Sequence, residues 1–362
     1  MSSTLPILLS FAIAAAAQPR VPQPSREPAP RPQNIAPSAE NAPAENELTP
    51  ELTAAVNKGL AALAALQNAD GSFGSGRWSK NVAVTALAGI AFMADGHVPG
   101  RGQYGPNVAK CLDHVLSCAT ETGLIAGDSS NGPMYGHGFA TLFLGEVYGM
   151  TRGGGDTRTS ERVHEALVRA CRLIERTQNE EGGWRYNPVP YDADTSVTIC
   201  QIMALRSARN AGIEIPKQTV DKAVAYVHKC QNPDGGFKYQ AEAGVSAWPR
   251  SAAGVASLYY AGIYQDNALT RGVDYLIRNA SPNSPGRSES HYFYGMYYTA
   301  QAMYLAGGKP WSDWWLLARR ELLDRQRGSG EWPDPSVGPA YGTAMALIVL
   351  QMPKRYLPIF QR

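Results

Sequence analysis

A short motif recurs along this chain: a glutamine, three residues, a glycine, one residue and an aromatic residue. The four full copies span residues 67–73, 178–184, 231–237 and 326–332. Successive glutamines are 111, 53 and 95 residues apart. Because two of these intervals are about twice the third, degenerate copies are expected near Cys118 and Asn279, which gives six units of about 50 residues.

Each unit follows the same plan of helix, loop and helix. Residues 51–66 have the apolar periodicity of an amphipathic helix, whereas residues 82–93 are apolar on nearly every side. The first helix of each unit is therefore expected outside and the second inside. Six such pairs close most simply into an all-α ring, an α/α toroid or (α/α)6 barrel of six helix-pair repeats with short Gly/aromatic loops. An open helical array is the alternative.

The motif itself has a structural explanation. A glutamine amide can both donate and accept hydrogen bonds, so we expect it to bond the backbone at the start of the next helix. The aromatic ring is expected to cover the joint between repeats. The loops thus predict a fold and carry no chemistry by themselves.

The residues before the repeats have a different composition. Residues 5–17 are apolar and end in Ala15-x-Ala17, a pattern typical of a signal-peptidase site. The apolar run is too short to span a bilayer. Residues 18–47 are rich in proline and poor in apolar side chains, as in disordered linkers. We therefore predict a signal peptide at 1–17, a linker at 18–47, the toroid at 48–362, and export to the periplasm or the extracellular space.

Composition excludes several classes of function. Lys plus Arg number 33 and Asp plus Glu number 31, so no field of one sign favours a nucleic-acid partner. The five cysteines lack any CxxC pair, which argues against a disulfide framework or a zinc cluster and favours small buried hydrophobic residues. No metal or other cofactor is expected.

Through these four loops, residues 48–362 resemble the QW-type repeats of the terpenoid cyclase and protein prenyltransferase superfamily. In size the single toroid is similar to a prenyltransferase β-subunit, and in local sequence it is closer to squalene and hopene cyclases. The zinc prenyltransferases carry a D-x-C pattern at an inner-helix start, where this chain has Asp192-Ala193-Asp194. That segment resembles the cyclase DxDD motif.

The resemblance implies that Asp194 is the proton donor and Asp192 its carboxylate partner. Thr195 replaces the last aspartate of the motif, and it can form a hydrogen bond but cannot supply the missing charge. Protonating an alkene requires a strong acid in a dry cavity whose aromatic faces stabilise a cation. The alternative role of Asp194 is structural, because an aspartate before Thr-Ser-Val is a good helix N-cap.

If all inner helices point the same way, their starts share one rim. Besides Asp192 and Asp194, the candidate substrate-binding residues on that rim are Trp78, His137, Trp248, Arg250, His291, Tyr292 and Tyr341. Lys80 and Tyr135 are also placed there, and Lys80 with Arg250 could help the helix N-termini to accept a carboxylate or a diphosphate. Residues 291–304 are the most aromatic inner helix, which either lines an isoprenoid pocket or fills the core.

Three functions fit these observations. The first is a terpenoid-cyclase-like or prenyltransferase-like enzyme that acts on a hydrophobic isoprenoid-type small molecule, with peripheral membrane association. The second is a toroid that binds a lipid or a partner protein without catalysis. The third is a secreted polysaccharide lyase, in which Arg250 would act near a uronate.

Overall fold

A computed structural model shows how the predicted repeats are arranged. It describes residues 47–127, 132–151, 156–282, 284, 287 and 289–361. The predicted signal peptide and all but the last residue of the predicted linker lie outside the described residues. The described residues therefore cover most of the predicted toroid.

Twelve α-helices within the described residues alternate between an outer and an inner wall. The outer helices are α1 (Pro50–Ala65), α3 (Gly105–Ser117), α5 (Thr157–Arg176), α7 (Lys217–Lys229), α9 (Asn267–Asn279) and α11 (Gly308–Arg325). The inner helices are α2 (Val82–Met93), α4 (Met134–Thr151), α6 (Thr195–Asn210), α8 (Trp248–Tyr260), α10 (Tyr292–Ala306) and α12 (Pro339–Gln351). Each inner helix packs against the next, and α12 packs against α2. The predicted closed α/α toroid is confirmed.

The division into two walls follows from the distribution of apolar side chains. Helix α1 buries one stripe, including Leu52, Val56 and Leu60, and exposes its opposite face. Every residue of α2 except Ala83 is buried. A helix with one apolar stripe can cover a core, whereas a helix that is apolar all round has to lie inside one.

The motif glutamines join successive repeats through their side-chain amides. Gln231 Nε2 donates to the Gly235 carbonyl of its own loop at 3.0 Å and to the Ala268 carbonyl of α9 at 2.7 Å. The other three motif glutamines form the same pair of bonds. The bond from Gln326 to the Ala55 carbonyl of α1, 2.9 Å long, joins the last repeat to the first. The hydrogen bonding predicted for the motif is confirmed.

The motif glycine allows a close approach to the next outer helix. Gly182 has a φ of +100°, and a Cβ atom on it would lie 2.1 Å from the Lys222 carbonyl oxygen of α7. Gly123, in the first degenerate copy, has a φ of +88° and would meet a carbonyl oxygen of α5 at 2.3 Å. Ile125 takes the place of the aromatic residue there and is fully buried. The loop of the second degenerate copy, after Asn279, is only partly described.

Aromatic side chains of α10 fill the centre of the ring at mid-depth. Tyr297 packs edge-on against Phe139 of α4, with ring centroids 6.2 Å apart. The Tyr298 hydroxyl lies 3.4 Å from Cys200 Sγ of α6. Both tyrosines are almost fully buried. The predicted aromatic helix therefore fills the core with part of its length.

Three further findings concern the described residues as a set. None of their helices is long and apolar enough to cross a bilayer. No group of three His, Cys, Asp or Glu side chains among them is placed to hold a metal ion. The five cysteines are free thiols, and all but the half-buried Cys118 are buried.

Candidate functional site

Two adjoining clefts open at the N-terminal ends of the inner helices. The first, here called the tyrosine lobe, has a volume of about 620 Å³. Its lining residues are Tyr135, Tyr186, Ser196, Tyr239, Ala247, Pro249, Arg250, Ser290, His291 and Tyr294. The second, here called the apolar lobe, has a volume of about 350 Å³ and is lined mainly by α2, α4 and the start of α12.

The two lobes form one bilobed site, because three residues line both of them: Tyr135, His291 and Tyr294. All six inner helices contribute to the walls through residues near their starts. The inner helices thus begin at one rim, as the repeat pattern predicts. Each lobe has the volume typical of a small-molecule site.

Two tyrosines of the tyrosine lobe come from the motif loops. Tyr186 follows Trp184 by two residues, and Tyr239 stands in the same position after Phe237. Trp184 is buried, and its Nε1 donates to the Ile174 carbonyl at 2.8 Å. Sequence reasoning missed both tyrosines, although their shared offset from the motif aromatic residue was a usable signal.

Asp194 caps α6 and is joined to the tyrosine lobe by a hydroxyl group. Its Oδ1 accepts the Val197 backbone N–H at 2.9 Å, and its Oδ2 accepts the Tyr239 hydroxyl at 3.2 Å. The Asp194 side chain has no exposed surface, and it lines neither lobe. Burial raises the pKa of Asp194 to about 6, against the opposing effect of these hydrogen bonds and of Arg185.

Arg185 connects the two carboxylates of the D-x-D segment. Its guanidinium forms an ion pair with Asp192, and its Nε lies 3.7 Å from Asp194 Oδ2. The same guanidinium lies over the rings of Tyr186 and Tyr239, at 5.2 and 5.9 Å from their centroids. Asp192 is 39% exposed at its side chain and lines neither lobe. The two carboxylates therefore share a cation and do not bond each other.

Thr195 has a positioning role in place of the missing aspartate. Its Oγ1 donates to the Lys238 carbonyl at 2.9 Å, and its backbone N–H donates to the Tyr239 carbonyl at 2.9 Å. These bonds hold the start of α6 against the loop that carries Tyr239. The Tyr186 and Tyr239 hydroxyls are hydrogen-bonded to each other, so the contact to Asp194 continues to a second phenol.

Four of the predicted substrate-binding residues line the bilobed site: Trp78, Arg250, His291 and Tyr341. Trp78 lines the apolar lobe, and its Nε1 donates to the Ser336 carbonyl at 2.9 Å. His291 is exposed, with a φ of +59°, and faces both lobes. Lys80 lines neither lobe, and its Nζ pairs with Asp70 at 2.9 Å.

His137 is placed in the wall, outside both lobes. Its Nδ1 accepts the Ile125 backbone N–H at 3.1 Å, and its Nε2 lies 3.2 Å from the Ala170 carbonyl oxygen, to which it donates in that tautomer. Burial lowers the pKa of His137 to about 4. This neutral ring joins α4 to a motif loop and to α5, which leaves neither nitrogen for a substrate.

Trp248 and Tyr292 are likewise packed in the wall. Trp248 is fully buried, and its Nε1 donates to Thr299 Oγ1 at 2.8 Å. Tyr292 is 4% exposed, and the Arg325 guanidinium lies 4.0 Å from its ring centroid. Neither ring lines a lobe, because each points toward neighbouring helices and not toward the centre.

Residues 156–306 match the family model of the squalene-hopene cyclase C-terminal domain. The predicted resemblance to the terpenoid cyclase superfamily is confirmed. The matched residues include the Asp192–Asp194 segment and both motif loops that supply tyrosines to the site. No curated protein sequence matches this chain.

Solved structures with the same fold come from more than one class of enzyme. A variant of the type II terpene cyclase MstE from Scytonema, in complex with its substrate geranylgeranyl dihydroxybenzoate, has a TM-score of 0.58 and 15% identity, over 85% of this chain and 98% of that one. An inactive variant of an α-1,6-mannanase of Salegentibacter sp. HEL1_6, in complex with α-1,6-mannotriose, has a TM-score of 0.60 and 9% identity, over 86% and 100%. At these identities the likeness concerns the fold alone.

Proposed function

We propose that the bilobed site binds an isoprenoid-type small molecule and that Asp194, acting through Tyr239, donates the proton that starts its cyclisation. The observation that carries the proposal is the hydrogen bond between a buried carboxyl group and a phenol that lines the tyrosine lobe. The match to a cyclase family model supports it. So does the substrate of the similar MstE structure, which carries a geranylgeranyl chain.

The proposed step is an isomerisation that balances without a cofactor. Protonated Asp194 donates to the Tyr239 oxygen while Tyr239 passes its own proton to a substrate alkene. The carbon cation that results is attacked by a second alkene, which closes a ring, and a final C–H bond gives up its proton to restore the acid. Tyrosine ring faces stabilise the cation during these steps.

The pKa of Asp194 sets an expected pH dependence. A proton donor has to be protonated before each turnover, and burial places the pKa of this carboxyl at about 6. The rate is therefore expected to fall as the pH rises through about 6. A rate that stays level from about pH 5 to about pH 8 would argue against Asp194 as the acid.

A second candidate function is binding without catalysis. It is favoured by the complete burial of Asp194, whose carboxylate caps α6 and lines neither lobe. In that case the tyrosines bind the ligand and Asp194 only fixes Tyr239. The ligand would then be a lipid or a segment of a partner protein. A lipid could reach the site from a membrane with which the protein associates peripherally.

Carbohydrate chemistry has less support in this site. Glycoside hydrolysis uses two carboxyl groups on either side of the bond that is cut, and no aspartate or glutamate in the described part of the chain lines either lobe. A polysaccharide lyase with Arg250 near a uronate stays a prediction. Incubation with polyuronates, followed by detection of unsaturated products, tests it.

One experiment separates catalysis from binding. The purified protein is mixed with geranylgeraniol or squalene, turnover is followed by mass spectrometry of extracts, and affinity is measured separately by calorimetry. Asp194→Asn keeps a capping oxygen, and Tyr239→Phe removes only the hydroxyl. Both are expected to lower turnover by about 10²-fold or more while affinity is retained. Tyr191→Phe is the matched control, because Tyr191 is 86% exposed.

The outcomes differ for the two candidates. Loss of turnover in both variants, with Tyr191→Phe unchanged, supports cyclisation. Binding without turnover in the unaltered protein selects the non-catalytic function, and turnover by Asp194→Asn at the unaltered rate removes Asp194 as the acid. Absence of binding to either compound contradicts cyclisation and the binding of a lipid, and leaves a partner protein as the ligand of the second candidate.

Export is part of the proposal as well. It rests on the apolar residues 5–17 and on the Ala15-x-Ala17 pattern at their end. Expression of the full chain in a bacterial host, followed by cell fractionation and N-terminal sequencing, is expected to give a product that begins at Gln18. An intact N-terminus in the cytoplasmic fraction would contradict export.

A further inference from the structure

The two lobes differ in what they offer a ligand. The apolar lobe is lined by apolar side chains such as Val82, Leu87 and Phe139, together with several glycines. The tyrosine lobe contains phenols and the guanidinium of Arg250. An extended ligand that occupies both lobes therefore meets hydrocarbon at one end and a cation at the other.

Arg250 is fixed by backbone and lacks a counter-ion. Its Nε donates to the Phe237 carbonyl at 3.2 Å, and its Nη2 donates to the Val245 carbonyl at 2.7 Å. Among the described residues it forms no ion pair with a carboxylate. The two carbonyls hold the guanidinium in place while its Nη1 remains available to a ligand in the lobe.

The environment of Arg250 makes an uncompensated cation unfavourable. The side chain is half-buried, and this burial lowers the pKa of Arg250. A charge that has lost part of its hydration is stabilised by an opposite charge held at hydrogen-bond distance. The aspartates of this region pair with Arg185 instead, so a ligand in the tyrosine lobe is the group that can bring the opposite charge to Arg250.

We propose that Arg250 selects isoprenoid ligands with an anionic head group, which binds in the tyrosine lobe while the prenyl chain occupies the apolar lobe. The inference rests on the binding half of the proposed function. A carboxylate and a phosphate share the required chemistry, since each presents oxygens to a guanidinium. Arg77 lines the apolar lobe but is exposed, so its charge is screened by water and gives little selectivity.

Three ligands that differ only in the head group test this inference. Geranylgeraniol, geranylgeranoic acid and geranylgeranyl phosphate are titrated into the full chain at about pH 7.5 in the same detergent, and affinities are measured by calorimetry. At least one of the two anions is expected to bind about tenfold or more tightly than the alcohol, because a hydrogen bond to a charged group is stronger than one to a neutral group. The acid and the phosphate compared with each other identify the preferred head.

Variants at two arginines assign the preference to its residue. Arg250→Gln is expected to bind all three ligands with affinities within about threefold of one another. Arg77→Gln, the matched control, is expected to keep the preference for an anion. Arg250→Lys keeps the charge, and it is expected to retain part of the preference; it serves as the test if Arg250→Gln does not fold by circular dichroism.

Two results would overturn the inference while the proposed function stands. One is equal affinity of the unaltered protein for the alcohol and both anions. The other is a preference for an anion that persists in Arg250→Gln. If Arg250→Gln does not fold, the corresponding result is an undiminished preference in Arg250→Lys together with loss of the preference in Arg77→Gln. If none of the three ligands binds, it is the proposed function that fails.

Discussion

A buried carboxyl group at the opposite end of α4 from the bilobed site makes the stability of the protein depend on pH. Glu146 is 1% exposed. Its Oε1 accepts the Ser207 hydroxyl at 2.6 Å, and its Oε2 accepts the Ile359 backbone N–H at 3.1 Å. Burial raises the pKa of Glu146 to about 7, although both hydrogen bonds act in the opposite direction.

The size and direction of the effect follow from this pKa. The ordinary value for a glutamate is 4.5, and the folded value is about 7. At about 1.4 kcal/mol per pKa unit, ionising Glu146 in the folded protein costs about 3 kcal/mol. Its contribution to stability is complete below about pH 4.5, is lost as the pH rises to about 7, and stays constant above that pH.

Glu146→Gln removes the ionisation and keeps the shape. The glutamine amide can donate to the Ser207 oxygen, and its carbonyl can accept from Ile359. The stability of Glu146→Gln relative to the unaltered protein is therefore expected to rise by about 3 kcal/mol between about pH 4.5 and about pH 8. Urea unfolding at several pH values, followed by far-UV circular dichroism, measures this difference, in which other titrating groups cancel.

A control variant removes a different carboxylate. Glu161 is exposed on α5, so Glu161→Gln is expected to change stability by only a few tenths of a kcal/mol. A difference between Glu146→Gln and the unaltered protein that does not vary with pH would refute the reasoning. So would a difference that changes with pH as strongly in Glu161→Gln.

Two further predictions concern the repeat joints. Gly182→Ala is expected to cost about 3 kcal/mol or more in the free energy of unfolding, because the added Cβ meets the Lys222 carbonyl oxygen. Gly262 has a similar φ and open space around it, so Gly262→Ala is expected to cost only about 1 kcal/mol. Equal losses of stability in urea unfolding would contradict this explanation. Gln326→Ala removes two hydrogen bonds and opens the contact to Ala55 of α1, so a loss of about 1–3 kcal/mol is expected. Hydrogen exchange should then show faster exchange in α1 than in α7, and unchanged protection of α1 would argue against ring closure by this glutamine.

The sequence by itself was enough to predict the ring. The Gln-x3-Gly-x-aromatic motif is local, and each part of it acts on the next helix in the same way in every complete copy, as the bonds of Gln231 and Gln326 show. The alternation of amphipathic and apolar helices then left few other arrangements. The cap of α6 by Asp194 was also readable, because capping depends on residues within one turn.

The side chains that line the site were predicted less completely. A helix that is buried on every side has no apolar stripe to show which of its faces points to the centre. Helix α10 illustrates this, since Tyr294 lines both lobes whereas Tyr292, two residues earlier, is packed in the wall. His137 was predicted on the rim, but its ring nitrogens bond the backbone of other elements.

The chemistry of Asp194 was decided by tertiary structure. Its phenol partner, Tyr239, lies in the next motif loop, and the shared cation, Arg185, lies in the loop before it. The distance between such groups depends on how neighbouring repeats pack, and no local pattern in the chain encodes it. The sequence therefore determined the toroid and the position of its rim. The packing of adjacent repeats decided which side chains meet at that rim, because contacts between repeats join residues that are far apart in the chain.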